Sequence, residues 1–506
     1  MISRSQTERS VNSMKKTLSN LYSKRSSIAK IALLVMLFFG VNVYLTFATD
    51  TYAIFEAGLD RAGKDVIRWN ARLVLGLFYE LHDLSGLSNE AFYCISSALA
   101  LIFLGISIWI YQGILEKYEI KENTRILMAF AGIANIFIVE YFMFLEKCVF
   151  MLSILFEVIG VYWIEKFFSE KKKRYFVFAV LSMISAIFTY QGTIALFVVL
   201  SIPFAMKNAE NFKKYFFNGL AIGLAYIIPV IVNLAVLRLI IKSTRLVTKT
   251  DYIANLVKVL QRLYPWAADS YDILPRYQLL LITLVIFVSA VVWALICRQS
   301  AWRIFNACII VTAGCLFSTA TIIQGTGWWA ARTVYSIASI PAVLAIDLFV
   351  NKEDAPVNES LKKAVRYISA AALAVLMVFQ YFSFNKIYID KYRLNALDQY
   401  RYQYIGQAIR EYQDDTGTEI KSVAFYTDEK VSNPQYSNLF HTGDLIVSAF
   451  TTSWSDLRAM NYYLHTNYKK ADPVEEYVEY FAGKNWDTLS KDQLIFDGDT
   501  LHICVY

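Results

Sequence analysis

Apolar runs about as long as a bilayer is thick recur along this chain as far as residue 385, and no other feature constrains its fold as strongly. A helix needs roughly 20 predominantly apolar residues to cross the hydrocarbon core. Runs of that kind lie at 29–48, 91–114, 126–145, 148–168, 215–241, 278–297, 304–323, 333–350 and 367–385. The stretch 175–206 is longer, is broken at Tyr190-Gln191-Gly192, and reads as two short spans joined by a tight turn. The expectation is an α-helical multi-pass membrane protein with about eleven transmembrane helices. Composition agrees, with 57% hydrophobic residues against roughly 45–50% in soluble domains.

Basic clusters orient the spans, because Lys and Arg accumulate in cytoplasmic loops. They fall at Arg4 to Lys30, Lys117/Lys121/Arg125, Lys171 to Arg174, Lys207/Lys213/Lys214, Arg298/Arg303 and Lys352/Lys362/Lys363/Arg366, in every second connection. That alternation puts 1–28 in the cytoplasm as an amino-terminal segment, 29–385 in the membrane, and 386–506 outside. The setting expected is the plasma (bacterial inner) membrane, with no cleavable signal peptide. The net charge of +7 is spread in these short clusters, which argues against nucleic acid as a partner.

The external segment 49–90 follows Asp50 with Glu56, Asp60 and Asp65. Residues 66–84 are too polar to span, yet Val66, Leu73, Leu77, Leu81 and Leu84 share one helical face, which predicts a single interfacial helix. Tyr252–Leu263 repeats the pattern more weakly. The tail 386–506 changes character: a helix at 392–413, a buried strand at 420–426, helices near 455–467 and 473–482, and a hairpin on Asp497-Gly498. It reads as a small extracytoplasmic α/β domain. Five of the six cysteines lie in or beside apolar runs and only Cys504 lies in the tail, so no disulfide is expected there; the ligand spacing of a zinc site is lacking.

Several polar residues stand where function is plausible. Asp50 is either the water boundary of the first span or a general base at the membrane surface. Arg68 and Arg72 either snorkel to headgroups or clamp a phosphate. Glu140, Glu146 and Lys147 flank an external hairpin, as functional groups or as a Glu–Lys pair. Tyr190 and Gln191 either plug a broken helix or hydrogen-bond a sugar. The stretch Gln324 to Arg332, with Trp328, Trp329 and Arg332, suggests a sugar platform or an aromatic belt; it follows a span, so its GxGxxA pattern does not read as a dinucleotide site.

In their order these elements resemble the GtrII-like membrane glucosyltransferases of the phage serotype-conversion type, a GT-C class family that uses polyprenyl-phosphate-sugar donors. The residues concerned are Asp50-Thr51, Gly63 with Trp69-Asn70-Ala71-Arg72, Tyr190-Gln191 and Arg332-Thr333, across roughly 45–385. Thr51 stands where that family keeps a second acid, and Ala71 where it keeps Gly. The resemblance implies an inverting hexosyltransferase that moves a hexose, glucose above all, from the lipid carrier to a cell-surface glycan, as in O-antigen or teichoic acid modification. Asp50, Asp60 and Asp65 are the candidate catalytic acids. Arg68, Trp69, Asn70, Arg72, Glu140, Tyr190, Gln191, Trp328 and Arg332 are the candidate substrate-binding residues. No cofactor is expected and a divalent metal is not indicated. The partners implied are the lipid-linked donor, the glycan acceptor, the bilayer, a companion GT-A class sugar-lipid synthase and a small flippase. A lipid-linked glycan flippase or transporter, or a polysaccharide polymerase, are the competing expectations.

Overall fold

The computed structural model describes residues 24–243, 251–296, 300–320, 330–351, 359–427, 445, 447–482 and 489–505. Among the described residues up to 416 the regular elements are helices: α1 (Arg25–Phe39), α2 (Thr49–Ala57), α3 (Leu59–Asn70), α4 (Leu73–Ser85), α5 (Asn89–Glu116), α6 (Glu122–Ile133), α7 (Ile138–Tyr141), α8 (Lys147–Glu170), α9 (Lys173–Thr189), α10 (Ala195–Lys207), α11 (Phe212–Ala235), α12 (Tyr252–Asp269), α13 (Gln278–Ile296), α14 (Ser300–Ser318), α15 (Ile340–Val350) and α16 (Glu359–Thr416). Short 3-10 turns extend α1 to Val43 and lead into α15 from Ala331, and a π segment carries α11 to Ile241.

With those extensions α1, α5, α8, α11, α13, α14, α15 and α16 are each long and apolar enough to cross a membrane. By the length and composition of its helices the chain is a multi-pass membrane protein. These eight account for eight of the expected spans. The run 126–145 is instead broken into α6 and α7, and 175–206 forms α9 and α10, of 17 and 13 residues.

The breaks are built from polar side chains. At the first, Asn135 Oδ1 accepts from the Phe137 amide at 2.9 Å, and its Nδ2 donates to the Tyr335 carbonyl and Ser339 Oγ at 3.0 and 2.8 Å. Gln380 donates to the Ala134 carbonyl, Tyr335 to that of Ile133, and Ser339 to that of Gly132. Carbonyls freed by the broken helix are thus bonded inside the protein, the condition for irregular backbone among apolar helices. At the second break, Tyr190 ends α9 in an extended conformation, and its ring folds over Gly192 so closely that a Cβ there would lie 2.5 Å from it.

The expected single helix 66–84 is a hairpin of two, α3 and α4, reversing at Ala71 (φ 53°). The helices approach closely: a Cβ on Gly63 would meet the Gly76 carbonyl at 3.1 Å, and one on Gly76 would meet Ile67 at 2.5 Å. The apolar face survives the division, for Leu73, Leu77, Leu81 and Leu84 on α4 are all exposed. The weaker candidate at 252–263 is part of α12, which also leaves Ile253, Val257 and Leu260 exposed.

α16 joins the last span to the tail. It contains no Pro, and its one Gly, Gly406, accommodates Leu464. It ends at Gly417, whose φ of 69° suits Gly at a helix C-terminus. At 1.5 Å per residue it is roughly 85 Å long, far more than the roughly 30 Å of a hydrocarbon core. The expected boundary at 385/386 therefore falls inside a continuous helix.

Beyond it come β1 (Ser422–Thr427), α17 (Asp456–Leu464), β2 (Lys469–Lys470), α18 (Glu475–Phe481), β3 (Leu494–Asp497) and β4 (Thr500–Val505). The sheet order is β2-β1-β4-β3, with β1 parallel to β2 and β4. β3 and β4 form the expected hairpin at Asp497-Gly498. α17 docks on α2: Tyr52 and Tyr463 hydroxyls bond at 2.8 Å, Arg458 Nε donates to Glu56 Oε2 at 2.6 Å, and Phe55 stacks on Tyr462.

Candidate functional site

Residues from five separate stretches of the chain meet around the turn between α3 and α4. Arg72 caps α4 and is half-buried. Its Nε donates to Gln191 Oε1 at 2.9 Å, and its guanidinium lies 4.6 Å from the centre of the Tyr190 ring. Gln191 Nε2 donates in turn to the Asn70 carbonyl at 2.6 Å. The α9–α10 break thereby holds Arg72 by one amide and one aromatic face. Tyr190 is fixed against Phe150 and Tyr141, at centroid distances of 4.6 and 5.7 Å.

A second guanidinium stands nearby. Arg332, in the 3-10 turns before α15, pairs with Glu140 of α7, whose Oε2 also accepts from the Arg332 amide at 2.7 Å. Tyr141 donates to the Arg332 carbonyl at 2.6 Å, and Phe144 lies under the guanidinium at 4.9 Å. Three consecutive structural constraints, on amide, carbonyl and side chain, fix this arginine. The two arginines repel one another. Burial draws the pKa of Arg72 down, Tyr190 and Glu146 oppose this, and the like charge of Arg332 adds to it.

Glu146, just before α8, completes the cluster. Burial pushes its carboxyl above the ordinary carboxylate range and the charge of Asp50 adds to this; hydrogen bonds from its own amide and from Tyr79, and the charge of Arg72, work against it. Its Oε2 has no hydrogen-bond partner among the described residues. Burial and the Glu146 charge keep the Tyr79 hydroxyl protonated and able to donate. Asp50 lies exposed in the first turn of α2, where the helix dipole favours a carboxylate. Glu146 thus feels the charge of Asp50 and, with opposite sign, that of Arg72. Such a set can hold a phosphate and move a proton next to it.

Of the expected site residues, Arg72 meets Tyr190 and Gln191, Arg332 meets Glu140, and Asp50 lies near enough to Glu146 for its charge to act on that carboxyl. Asn70 joins through its carbonyl. Asp60 and Asp65 do not join: they pair along α3 with Lys64 at 2.6 Å and Arg61 at 3.9 Å. Arg68 and Trp69 are exposed on α3, and the Trp69 carbonyl accepts from Ser243 Oγ at 2.9 Å. Trp328 and the rest of 324–329 lie outside the described residues. The Glu–Lys alternative is not what forms, since Glu140 takes Arg332 while Lys147 donates to Ser97 Oγ at 3.2 Å and sits 3.5 Å from the Tyr93 ring centre.

Sequence reasoning flagged Glu146 only as one of the groups flanking the hairpin, left it out of the candidate site, and did not single out Tyr79. The available signal was an acid wedged between two apolar runs, at 126–145 and 148–168, where an unpaired charge is expensive. Among the described residues no group of three or more His, Cys, Asp or Glu side chains is arranged to hold a metal ion. Set against protein-family models, curated proteins and solved structures, the chain gives no match.

Proposed function

We propose that this chain is a glycosyltransferase that moves a hexose, glucose above all, from a polyprenyl-phosphate carrier to a cell-surface glycan on the outer side of the bacterial inner membrane. The observation that carries the reading is Arg72 held by Gln191 and Tyr190, with the charges of Glu146 and Arg332 acting on it and that of Asp50 acting on Glu146. In this reaction the acceptor hydroxyl attacks the anomeric carbon from the face opposite the phosphate. The carbon–oxygen bond to the carrier breaks, and polyprenyl phosphate leaves with the electron pair. Asp50 takes the hydroxyl proton, Glu146 sets the charge around it, and the two arginines hold the departing phosphate where negative charge develops.

Two further points support the reading. Ala71, standing where the resembling glucosyltransferases keep Gly, adopts the left-handed backbone that Gly prefers. If the broken α6–α7 and the short α9 and α10 are taken as crossings, the total of eleven agrees with the alternation of basic clusters, and on this reading the amino terminus is inside and the tail outside.

A flippase or transporter for the same lipid-linked glycan is the second reading, favoured by the helix breaks at 134–137 and 190–194, since discontinuous helices mark transporter binding sites. Purified protein in liposomes, given polyprenyl-phosphate-glucose and acceptor glycan, separates the two. Transfer is expected, with Asp50→Asn lowering turnover by about 10²–10⁴ and Asp60→Asn and Asp65→Asn leaving it near normal. Lipid movement without sugar transfer overturns the enzyme, and normal turnover in Asp50→Asn removes that residue as the base.

A further inference from the structure

A cavity distinct from the arginine–carboxyl cluster opens where the tail meets the helical part. Its volume is about 730 Å³, and its wall includes Phe47, Glu90, Tyr392, Asn395, Gln399 and Gln403, together with Tyr462 and Tyr463 of α17. That size is within the roughly 300–1,000 Å³ of small-ligand sites. One side of the cleft is a stripe along α16. Tyr392, Asn395, Gln399 and Gln403 recur at three- and four-residue spacing, which places them on one helical face.

The chemistry of this wall is specific. Amides present both donors and acceptors without charge, the complement of a sugar's hydroxyl groups. Asn395 is buried; its Oδ1 accepts from the Phe47 amide at 2.6 Å, while its Nδ2 has no hydrogen-bond partner among the described residues. Gln399 and Gln403 are exposed to the cleft. Tyr392 is 45% exposed beside Tyr44, its ring available as a stacking platform. The one carboxylate of the wall, Glu90, already accepts from Tyr462. The lining therefore favours a neutral polyhydroxylated ligand over a strongly charged one.

The cleft is coupled in space to the site. Phe47 lines it three residues before Asp50, and α2, which begins with Thr49-Asp50, carries the Tyr52–Tyr463 and Glu56–Arg458 contacts to the cleft's other wall.

We propose that this cleft binds a neutral oligosaccharide, and that α16 and α17 present one of its hydroxyl groups toward Asp50. The second half of that statement rests on the transferase reading; the first does not. The test is binding of the full-length protein in detergent to an array of neutral and acidic bacterial surface oligosaccharides, with no lipid donor present. Neutral glycans are expected to bind, and Gln399→Ala/Gln403→Ala is expected to bind them about tenfold more weakly, from the loss of two hydrogen bonds. Both side chains are exposed, so folding should not suffer. Tyr392→Phe is expected to bind as the parent does, and Tyr392→Ala more weakly. Absence of neutral-glycan binding, or equal binding by the double variant, overturns the cleft assignment. Transfer activity that persists unchanged at low acceptor concentration in that variant overturns the cleft and leaves the transferase standing. Glycan binding that depends on Gln399 and Gln403, in a protein that transfers no sugar, has the opposite meaning.

Discussion

Replacing Glu140 by Gln tests whether the second guanidinium is held as described. The amide oxygen can still accept from the Arg332 amide, but the counterion of a guanidinium whose side chain is only 15% exposed is gone. Removing one partner of a buried ion pair costs about 3–5 kcal/mol. Arg332 keeps some solvent and the Phe144 face, so the lower end, about 3 kcal/mol, is expected. Arg332→Gln alone should be as harmful, because it removes the guanidinium paired with a carboxyl that is 1% exposed. Removing both charges avoids either penalty. The coupling energy from the four proteins should therefore be about 2–3 kcal/mol. Unfolding by sodium dodecyl sulfate in lipid-detergent micelles, followed by tyrosine and tryptophan fluorescence, measures it. A coupling below about 0.5 kcal/mol, or a Glu140→Gln protein as stable as its parent, refutes the argument that this pair fixes Arg332.

Arg72→Lys is expected to raise the apparent KM for a polyprenyl-phosphate donor about tenfold, since one ammonium cannot bond Gln191, lie on Tyr190 and chelate a phosphate together; an unchanged KM makes Arg72 a structural residue. Glu146→Gln should alter how stability depends on pH. Because the folded state raises the carboxyl's pKa, the native protein holds a proton that the unfolded chain has lost. Stability is then greatest below the ordinary carboxylate range and declines as pH climbs through the raised value. The Gln protein should lack that decline, and parallel pH profiles for the two proteins would remove the cause assigned here.

Much of this was legible in the sequence because it depends on local pattern. The eight long apolar helices among the described residues, the exposed leucines of α4, the strand at 422–427 and the Asp497-Gly498 hairpin all follow from periodicity and turn chemistry. Arg72, Gln191 and Arg332 stood out as polar residues beside apolar runs, and they do come together. What escaped depends on tertiary context. An alanine in left-handed backbone at position 71 leaves no signature in composition, so α3 and α4 read as one helix. Asp60 and Asp65 matched Asp50 in type and neighbourhood, and only the helix phase, which pairs them with Lys64 and Arg61, separates them from it. Asn70 contributes a carbonyl, a contact that any residue type would offer.

The placement of the cluster has a common physical cause. Asp50 opens α2, Arg72 caps α4, Glu140 belongs to the one-turn α7, Glu146 precedes α8, Gln191 fills the α9–α10 break, and Arg332 sits in 3-10 turns. Each position lies at the start of a helix, at a break between helices or in a single turn of one. The middle of an apolar helix has no unsatisfied backbone groups and tolerates few polar side chains. A helix end has both unpaired backbone groups and a need for polar neighbours to satisfy them. Gln191 illustrates the exchange, bonding a carbonyl at the end of α3 with one atom and Arg72 with the other. The breaks thus serve two ends at once: they allow charged side chains to gather among apolar helices, and the backbone they expose gives those side chains fixed partners.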